Sequence, residues 1–115
     1  MAWSVVTIEA FDVWFLALDR SEQESVLAVV MMLESEGPML GRPYVDSLYG
    51  AARVGHLKEL RIQHRGKPYR VLFAFDPRRR AVLLCGGRKD GRKRFYAKMI
   101  ELAEREYLAY LSTLE

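Results

Sequence analysis

The sequence predicts an α+β fold in which helices cover one mostly antiparallel sheet. Residues 69–75 alternate between two faces, and residues 81–85 are apolar throughout, as in a central strand. Short turn signals separate the strand-like segments, so neighbouring strands are expected to pair antiparallel. Apolar residues recur at helical spacing before residue 36 and after residue 95. The predicted order is β-α-α-β-β-β-α, and residues 1–115 are expected to form a single domain.

The N-terminal elements are predicted to be one strand and two helices. Residues 3–8 (WSVVTI) are rich in β-branched and aromatic side chains, which favours a strand. Apolar residues at positions 11, 14, 15 and 18 form one face of a short helix. Ser21 and Glu24 have the spacing of a capping box and predict a second helix from Ser21 to about Ser35. Gly37-Pro38 ends that helix, and the two helices are expected to form a hairpin on one face of the sheet.

The remaining chain is predicted to supply most of the sheet and a long helix. Residues 38–55 read as a loop with at most one short strand, and strands follow at 56–63, 69–75 and 81–85. Gly86-Gly87 is expected to let the chain leave the sheet, and the last helix begins near Arg92. On the middle strand, one face should carry Tyr69, Val71, Phe73 and Phe75, and the other Arg70, Leu72 and Ala74.

Positive charge is concentrated in the predicted sheet. Residues 53–98 hold 15 Lys and Arg against three acidic residues, while both ends of the chain are acidic, and the net charge is +3. A basic surface of this kind favours a polyanionic partner. The composition is otherwise that of a globular domain with no apolar run long enough to span a bilayer, and a secretory signal is not expected. A cytoplasmic location is therefore expected.

Several site classes are excluded by their missing motifs. The sequence has no zinc-ligand spacing, no phosphate-binding GxxxxGK[ST] and no dinucleotide-binding GxGxxG, so neither a metal site nor a cofactor is expected. Cys85 lies in an apolar run and is expected to be a buried, unreactive thiol. What remains is a set of cations with one phenol, and that set suits a phosphodiester because Arg binds phosphate oxygens bidentately. Its members are Lys58, Arg61, Arg70, Arg88, Lys89, Arg92, Lys93, Arg94 and Tyr96.

The chemistry open to this set depends on the protonation of its Lys and Tyr residues and on which face of the sheet each residue occupies. A Lys or Tyr in a positive field can have a lowered pKa and accept the proton of an RNA 2′-OH, and a Tyr can instead stack on a base. Strand parity, however, places Lys58 with Leu60 on one face and Arg61 on the other. Residues 78–80 (RRR) lie at a turn at the far end of the strands, where they serve solubility or a partner. A basic surface without catalysis is the competing interpretation.

Five segments together resemble the phage-derived, HigB-like branch of the RelE/ParE toxin superfamily, with a YxxxI pattern after them in the final helix. The segments are WFLAL at 14–18, GRPYVD at 41–46, LKELR at 57–61, PYRVLFAFDPR at 68–78 and LLCGG at 83–87. The resemblance implies a RelE-like fold and a toxin of a type II toxin–antitoxin pair. Such toxins are metal-independent mRNA endoribonucleases, typically ribosome-associated, in which the 2′-OH attacks the adjacent phosphate and translation is blocked.

The resemblance also implies roles for individual residues. The catalytic set is Arg70, Lys89, Lys58 and Tyr96, with Arg70 and Lys89 as transition-state cations and Lys58 or Tyr96 transferring the proton. The substrate-binding set is Arg61, Arg88, Arg92 and Lys93. One departure from the family pattern is Arg88, which stands before Lys89 where an acid or Asn is common.

The implied partners are mRNA and an adjacently encoded antitoxin, expected to be a helix-turn-helix protein through which alone operator DNA is contacted. Two alternatives stay open at this point. One is a ParE-like toxin that poisons gyrase, and the other is a non-catalytic domain that binds antitoxin and DNA.

Overall fold

The computed structural model describes residues 2–91 and 94–114, and the predicted substrate-binding residues Arg92 and Lys93 lie outside them. The described residues form five strands and three α-helices, and the predicted α+β class is confirmed. Among the described residues, no helix is long and apolar enough to cross a membrane. The elements are β1 (Val5–Thr7), α1 (Glu9–Leu16), α2 (Arg20–Glu36), β2 (Val45–Ser47), β3 (Lys58–His64), β4 (Lys67–Phe75), β5 (Ala81–Arg88) and α3 (Phe95–Leu111).

The strands form a single sheet in the order β1-β5-β4-β3-β2. Strands β2 to β5 pair antiparallel, and the short β1 runs parallel to its neighbour β5. The β2 strand is the short strand that the loop of residues 38–55 was expected to allow. The sheet is therefore mostly antiparallel, as the sequence predicted.

Helices cover both faces of the sheet. Helices α1 and α2 pack on one face, here called the hairpin face, through Phe11, Val26 and Leu33. Helix α3 packs on the other, the α3 face, through Ala103 and Tyr107. The alternation predicted for β4 is confirmed, because its odd-numbered and even-numbered apolar residues belong to different clusters. Tyr69, Val71, Phe73 and Phe75 lie on the hairpin face, and Leu72 and Ala74 lie on the α3 face.

The start of α2 differs from the prediction. The helix begins at Arg20, and its capping box joins Asp19 to Glu22, not Ser21 to Glu24. The Glu22 N–H donates to Asp19 Oδ1 at 2.8 Å, and the Asp19 N–H donates to Glu22 Oε1 at 2.9 Å. Two overlapping segments fit the same motif, and an N-cap Asp accepts a hydrogen bond at least as well as Ser. Ser21 instead lies 3.3 Å from the His64 ring, across the hairpin face.

The end of β5 also differs from the prediction. The strand does not leave the sheet at Gly86-Gly87 but continues to Arg88, and the Lys89 N–H still donates to Pro68 O at 2.8 Å. The role of Gly86 is close packing, since a Cβ built there would lie 2.3 Å from the Trp14 ring. The two glycines therefore make room for neighbouring side chains within the strand.

A bulge in β5 sets the face on which the end of the strand displays its side chains. Leu72 pairs with Cys85 while the next residue, Phe73, pairs with Leu83, so Leu84 is the extra residue. Leu84 and Cys85 consequently both pack in the α3-face cluster. A slip of one residue exchanges the faces of every later position. Lys89 is therefore carried to the α3 face.

Candidate active site

The strand register collects charged residues on the α3 face. Arg61 of β3 pairs directly with Arg70 of β4, and Asp46 of β2 pairs directly with Glu59 of β3. Directly paired residues share a face, and so do residues two apart on one strand. These four side chains therefore project from the same side of the sheet, beside the N-terminal turn of α3.

A buried ion pair lies at the centre of this group. Arg70 Nε is 3.4 Å from Glu59 Oε1, and each side chain is only 6% exposed. Arg70 Nη1 also donates to Tyr69 O at 3.0 Å. Buried charges persist when they are paired and hydrogen-bonded, so the two side chains hold each other in one conformation.

Tyr96 joins this pair from the first turn of α3. Its hydroxyl donates to Glu59 Oε1 at 2.7 Å and accepts from Arg70 Nε at 3.2 Å. Burial, with the hydrogen bond to Glu59, raises the pKa of Tyr96 above its ordinary value, although Arg70 acts in the opposite direction. The phenol therefore stays protonated at neutral pH. This excludes the lowered Tyr pKa that the sequence analysis allowed.

Lys89 reaches the same group because of the bulge. Its Nζ lies 5.3 Å from the centroid of the Tyr96 ring, within cation–π distance. The structure thus brings together Arg70, Lys89 and Tyr96.

Arginines and carboxylates alternate from this centre to the edge of the sheet. Arg61 Nη1 is 4.0 Å from Glu59 Oε2 and 3.7 Å from Asp46 Oδ2. Arg42 Nη2 donates to the same Asp46 oxygen at 2.6 Å, which lowers the pKa of Asp46 below its ordinary value. Each carboxylate is shared by two cations, so the row Arg42–Asp46–Arg61–Glu59–Arg70 keeps an excess of positive charge.

Other predicted site residues lie elsewhere. Lys58 pairs with Phe73 and therefore lies on the hairpin face, whereas Arg61 lies on the α3 face, as strand parity predicted. Arg88 pairs with Tyr69 and also belongs to the hairpin face. Neither is brought to Arg70 by the register. Arg92 and Lys93 precede α3 and lie outside the described residues.

Three members of the site were not predicted from the sequence: the acidic Glu59 and Asp46, and Arg42. Glu59 lies two residues before Arg61, and residues two apart on a strand share a face. That spacing alone could have placed Glu59 on the same face as Arg61. Its contact with Arg70 and Tyr96 depends on three elements that meet only in the fold. Asp46 and Arg42 lie in a segment that was predicted to be mainly loop, and although this segment (GRPYVD) carries part of the family resemblance, neither residue was assigned to the site.

A cleft opens beside this row. It has a volume of ≈ 550 Å³ and lies between the middle of α2, residues 42–44 and the second half of β3. Arg42, Arg61 and Arg70 all border it. The cleft therefore reaches Arg70, one member of the buried ion pair.

The arginines of the turn before β5 have a structural role, which the sequence analysis did not anticipate. Asp76 accepts from Arg80 Nε at 2.9 Å and from the Tyr110 hydroxyl at 2.7 Å. The Arg79 guanidinium lies 5.3 Å from the centre of the Trp3 ring. Arg80 thus helps to attach α3 to the sheet, at the opposite end of the strands from Lys89.

Comparison with known proteins identifies the family. The model of the family "Phage derived protein Gp49-like (DUF891)" matches residues 13–108. The chain belongs to the Gp49-like family. The Gp49-like chain is also 40% identical over 111 residues to a candidate toxin, HigB3 of Mycobacterium tuberculosis, covering 96% of this chain and 95% of HigB3. A second candidate toxin of that organism, HigB2, is 40% identical over 110 residues, which are 94% of this chain but 54% of HigB2. The HigB-like resemblance is confirmed by both relatives, although the Gp49-like chain spans only about half the length of HigB2.

Proposed function

We propose that this chain is the toxin of a type II toxin–antitoxin pair and that it cleaves mRNA, in association with the ribosome, in the cytoplasm. The family and its relatives named as candidate toxins support the first part. The observation that carries the second is the hydrogen-bonded Arg70–Glu59–Tyr96 group, of which Arg70 lines an open cleft. This group combines fixed cations, a carboxylate and a proton donor, which are the parts that phosphodiester transesterification needs.

In the proposed reaction, Glu59 accepts the proton of the RNA 2′-OH. The 2′-oxygen then forms a bond to the adjacent phosphorus while the bond from phosphorus to the 5′-oxygen breaks. Tyr96 donates its proton to the departing 5′-oxygen, and the protonated Glu59 returns a proton to Tyr96 across their 2.7 Å hydrogen bond. The products are a 2′,3′-cyclic phosphate and a 5′-hydroxyl, and the site regains its starting protonation.

The cations in this proposal act on the phosphate. Arg70 is oriented by Glu59 and by Tyr69 O, so it offers a fixed guanidinium where negative charge develops at phosphorus. Lys89 adds a second charge over the Tyr96 ring, and Arg61 positions the substrate. Glu59 replaces Lys58 and Tyr96 as proton acceptor, since Lys58 projects from the other face and Tyr96 holds its proton.

The proposed antitoxin neutralises this basic surface. The resemblance implies an adjacently encoded helix-turn-helix protein, and contact with operator DNA is assigned to that protein. An acidic segment of the antitoxin suits the arginines that border the cleft, because complementary charge speeds and orients association.

Induced expression of four chains tests the proposal. Wild type should arrest growth and produce mRNA cut within coding regions, whereas Lys89→Ala and Tyr96→Phe should lose most of the cleavage. Lys98→Ala is the matched control because Lys98 is an exposed lysine on the same helix, and it should behave like wild type. Antitoxin binding and the midpoint of thermal unfolding verify that each variant is folded. A DNA-damage response with intact mRNA would instead establish gyrase poisoning, and full cleavage by both site variants would overturn the assigned residues.

A further inference from the structure

The cleft borders the half of β3 that the short edge strand β2 does not cover. Strand β2 pairs with Lys58–Leu60, the first half of β3, and Tyr44 O then accepts from the Arg61 N–H at 2.8 Å. Ile62 and Gln63, in the second half of β3, line the cleft. The cleft thus begins where β2 stops, and Arg61 lies at the boundary.

The lining combines apolar side chains with positive charge. Ala28 and Val29 of α2, Pro43 and Tyr44 before β2, and the buried Ile62 all contribute to it. Of the ten described residues that line the cleft, three are arginines and none is acidic. Its ≈ 550 Å³ lies within the range of about 300–1,000 Å³ that is usual for small-molecule sites. A planar, weakly polar group that carries a phosphate matches this combination.

Tyr44 and Gln63 are placed to contact such a planar group. The Tyr44 backbone is held on both sides, by its N–H donating to Gly41 O at 3.0 Å and its carbonyl accepting from Arg61. The residue is 38% exposed, so its side chain is accessible while its backbone is held. Gln63 is exposed on β3 and offers both a donor and an acceptor.

We propose that this cleft is a nucleotide subsite that binds the base next to the scissile phosphate of single-stranded RNA. Tyr44 stacks on the base, Gln63 hydrogen-bonds its edge, and Arg61 with Arg42 holds the phosphate. The assignment follows from continuity, since Arg61 and Arg70 are register partners and both border the cleft. Stacking on an aromatic ring with a cationic groove alongside is how proteins hold unpaired bases. This inference rests on the proposed function and adds the residues that would set its base preference.

Binding of two RNA oligonucleotides tests the subsite without relying on catalysis. Both carry a 2′-deoxy sugar at the cleavage position, which prevents cleavage, and one has an abasic site at the neighbouring nucleotide. Tyr44→Ala should weaken binding of the intact oligonucleotide by about tenfold, the effect of losing one stacked base. It should leave binding of the abasic oligonucleotide unchanged. Tyr49→Ala is the matched control, since Tyr49 is 85% exposed and does not line the cleft, and it should alter neither affinity.

Cleavage patterns give a second and independent readout. In a translating extract, sequenced cleavage sites should show a base preference at the neighbouring nucleotide, and Gln63→Ala should flatten that preference relative to wild type. Equal affinities of wild type and Tyr44→Ala for the intact oligonucleotide, with an unchanged base preference in Gln63→Ala, would overturn the subsite and leave the proposed nuclease standing. A Tyr44→Ala effect on antitoxin binding and not on RNA would assign the cleft to the antitoxin. RNA that wild type neither binds nor cuts would remove both proposals.

Discussion

Replacing Arg70 with Met is expected to lower the free energy of unfolding by about 3 kcal/mol. Met keeps much of the side-chain length and removes the charge, so Glu59 is left in a buried site without its main partner. Removing one member of a buried pair typically costs about 3–5 kcal/mol. The lower end applies here because the Tyr96 hydroxyl at 2.7 Å and Arg61 Nη1 at 4.0 Å still contact the carboxylate.

A double-mutant cycle isolates the pair from other effects. Urea unfolding of wild type, Arg70→Met, Glu59→Gln and the double variant gives four free energies, with equal m-values as the condition for comparison. Each single change should cost about 3 kcal/mol, and the double variant should cost about the same as either one, because no charge is then left unpaired. The coupling energy should therefore reach about 2–3 kcal/mol.

Additive losses in the double-mutant cycle would show that Arg70 and Glu59 do not stabilise each other. If the double variant lost the sum of the two single losses to within about 0.5 kcal/mol, Arg70 and Glu59 would not interact in the folded chain. A loss below about 1 kcal/mol for Arg70→Met would show that solvent reaches the pair, as for a surface ion pair. Either result would remove the orienting contact on which the proposed role of Arg70 depends.

Two further predictions concern packing beside the site. Burial, with a smaller contribution from Glu106, raises the pKa of Cys85 to about 12, so its thiol is protonated at pH 8. The native thiol should react with iodoacetamide at least about a hundredfold more slowly than in urea, and equal rates would show an accessible thiolate. Gly86→Ala should lower the free energy of unfolding by about 1–3 kcal/mol, because the new methyl group meets the Trp14 ring at 2.3 Å. Gly55→Ala is its control, with nothing within 4 Å of the added atom, and similar losses in both would refute the packing argument.

Local periodicity was sufficient to predict the fold class and the faces of β4. The apolar residues that recur at strand or helix spacing in the sequence are the ones buried in the structure, because each element packs one face into the core. Strand parity also correctly separated Lys58 from Arg61, since that separation depends on spacing along a single strand. The features that the sequence placed correctly are those that one element decides by itself.

The features that the sequence missed depend on several elements at once. The bulge at Leu84 exists only in the pairing of β5 with β4, yet it decides that Lys89 shares a face with Arg70. Likewise, nothing in the sequence around Glu59 distinguishes it from other strand residues. Its place in the site depends on its contact with Tyr96, which α3 contributes. At α2, two overlapping capping motifs compete, and the local sequence does not choose between them. Tertiary pairing, and not propensity, fixed the bulge and the surroundings of Glu59.

The rate and products of mRNA cleavage by Glu59→Gln test the central claim most directly. The substitution keeps the shape of the side chain and removes the proposed proton acceptor, and cleavage is measured at saturating toxin on ribosome-bound mRNA. Wild type should leave 2′,3′-cyclic phosphate and 5′-hydroxyl ends, and Glu59→Gln should cleave about 10²–10⁴-fold more slowly while still binding RNA and antitoxin. Undiminished cleavage by the variant, or 5′-phosphate ends from wild type, would contradict a site built on Arg70, Glu59 and Tyr96.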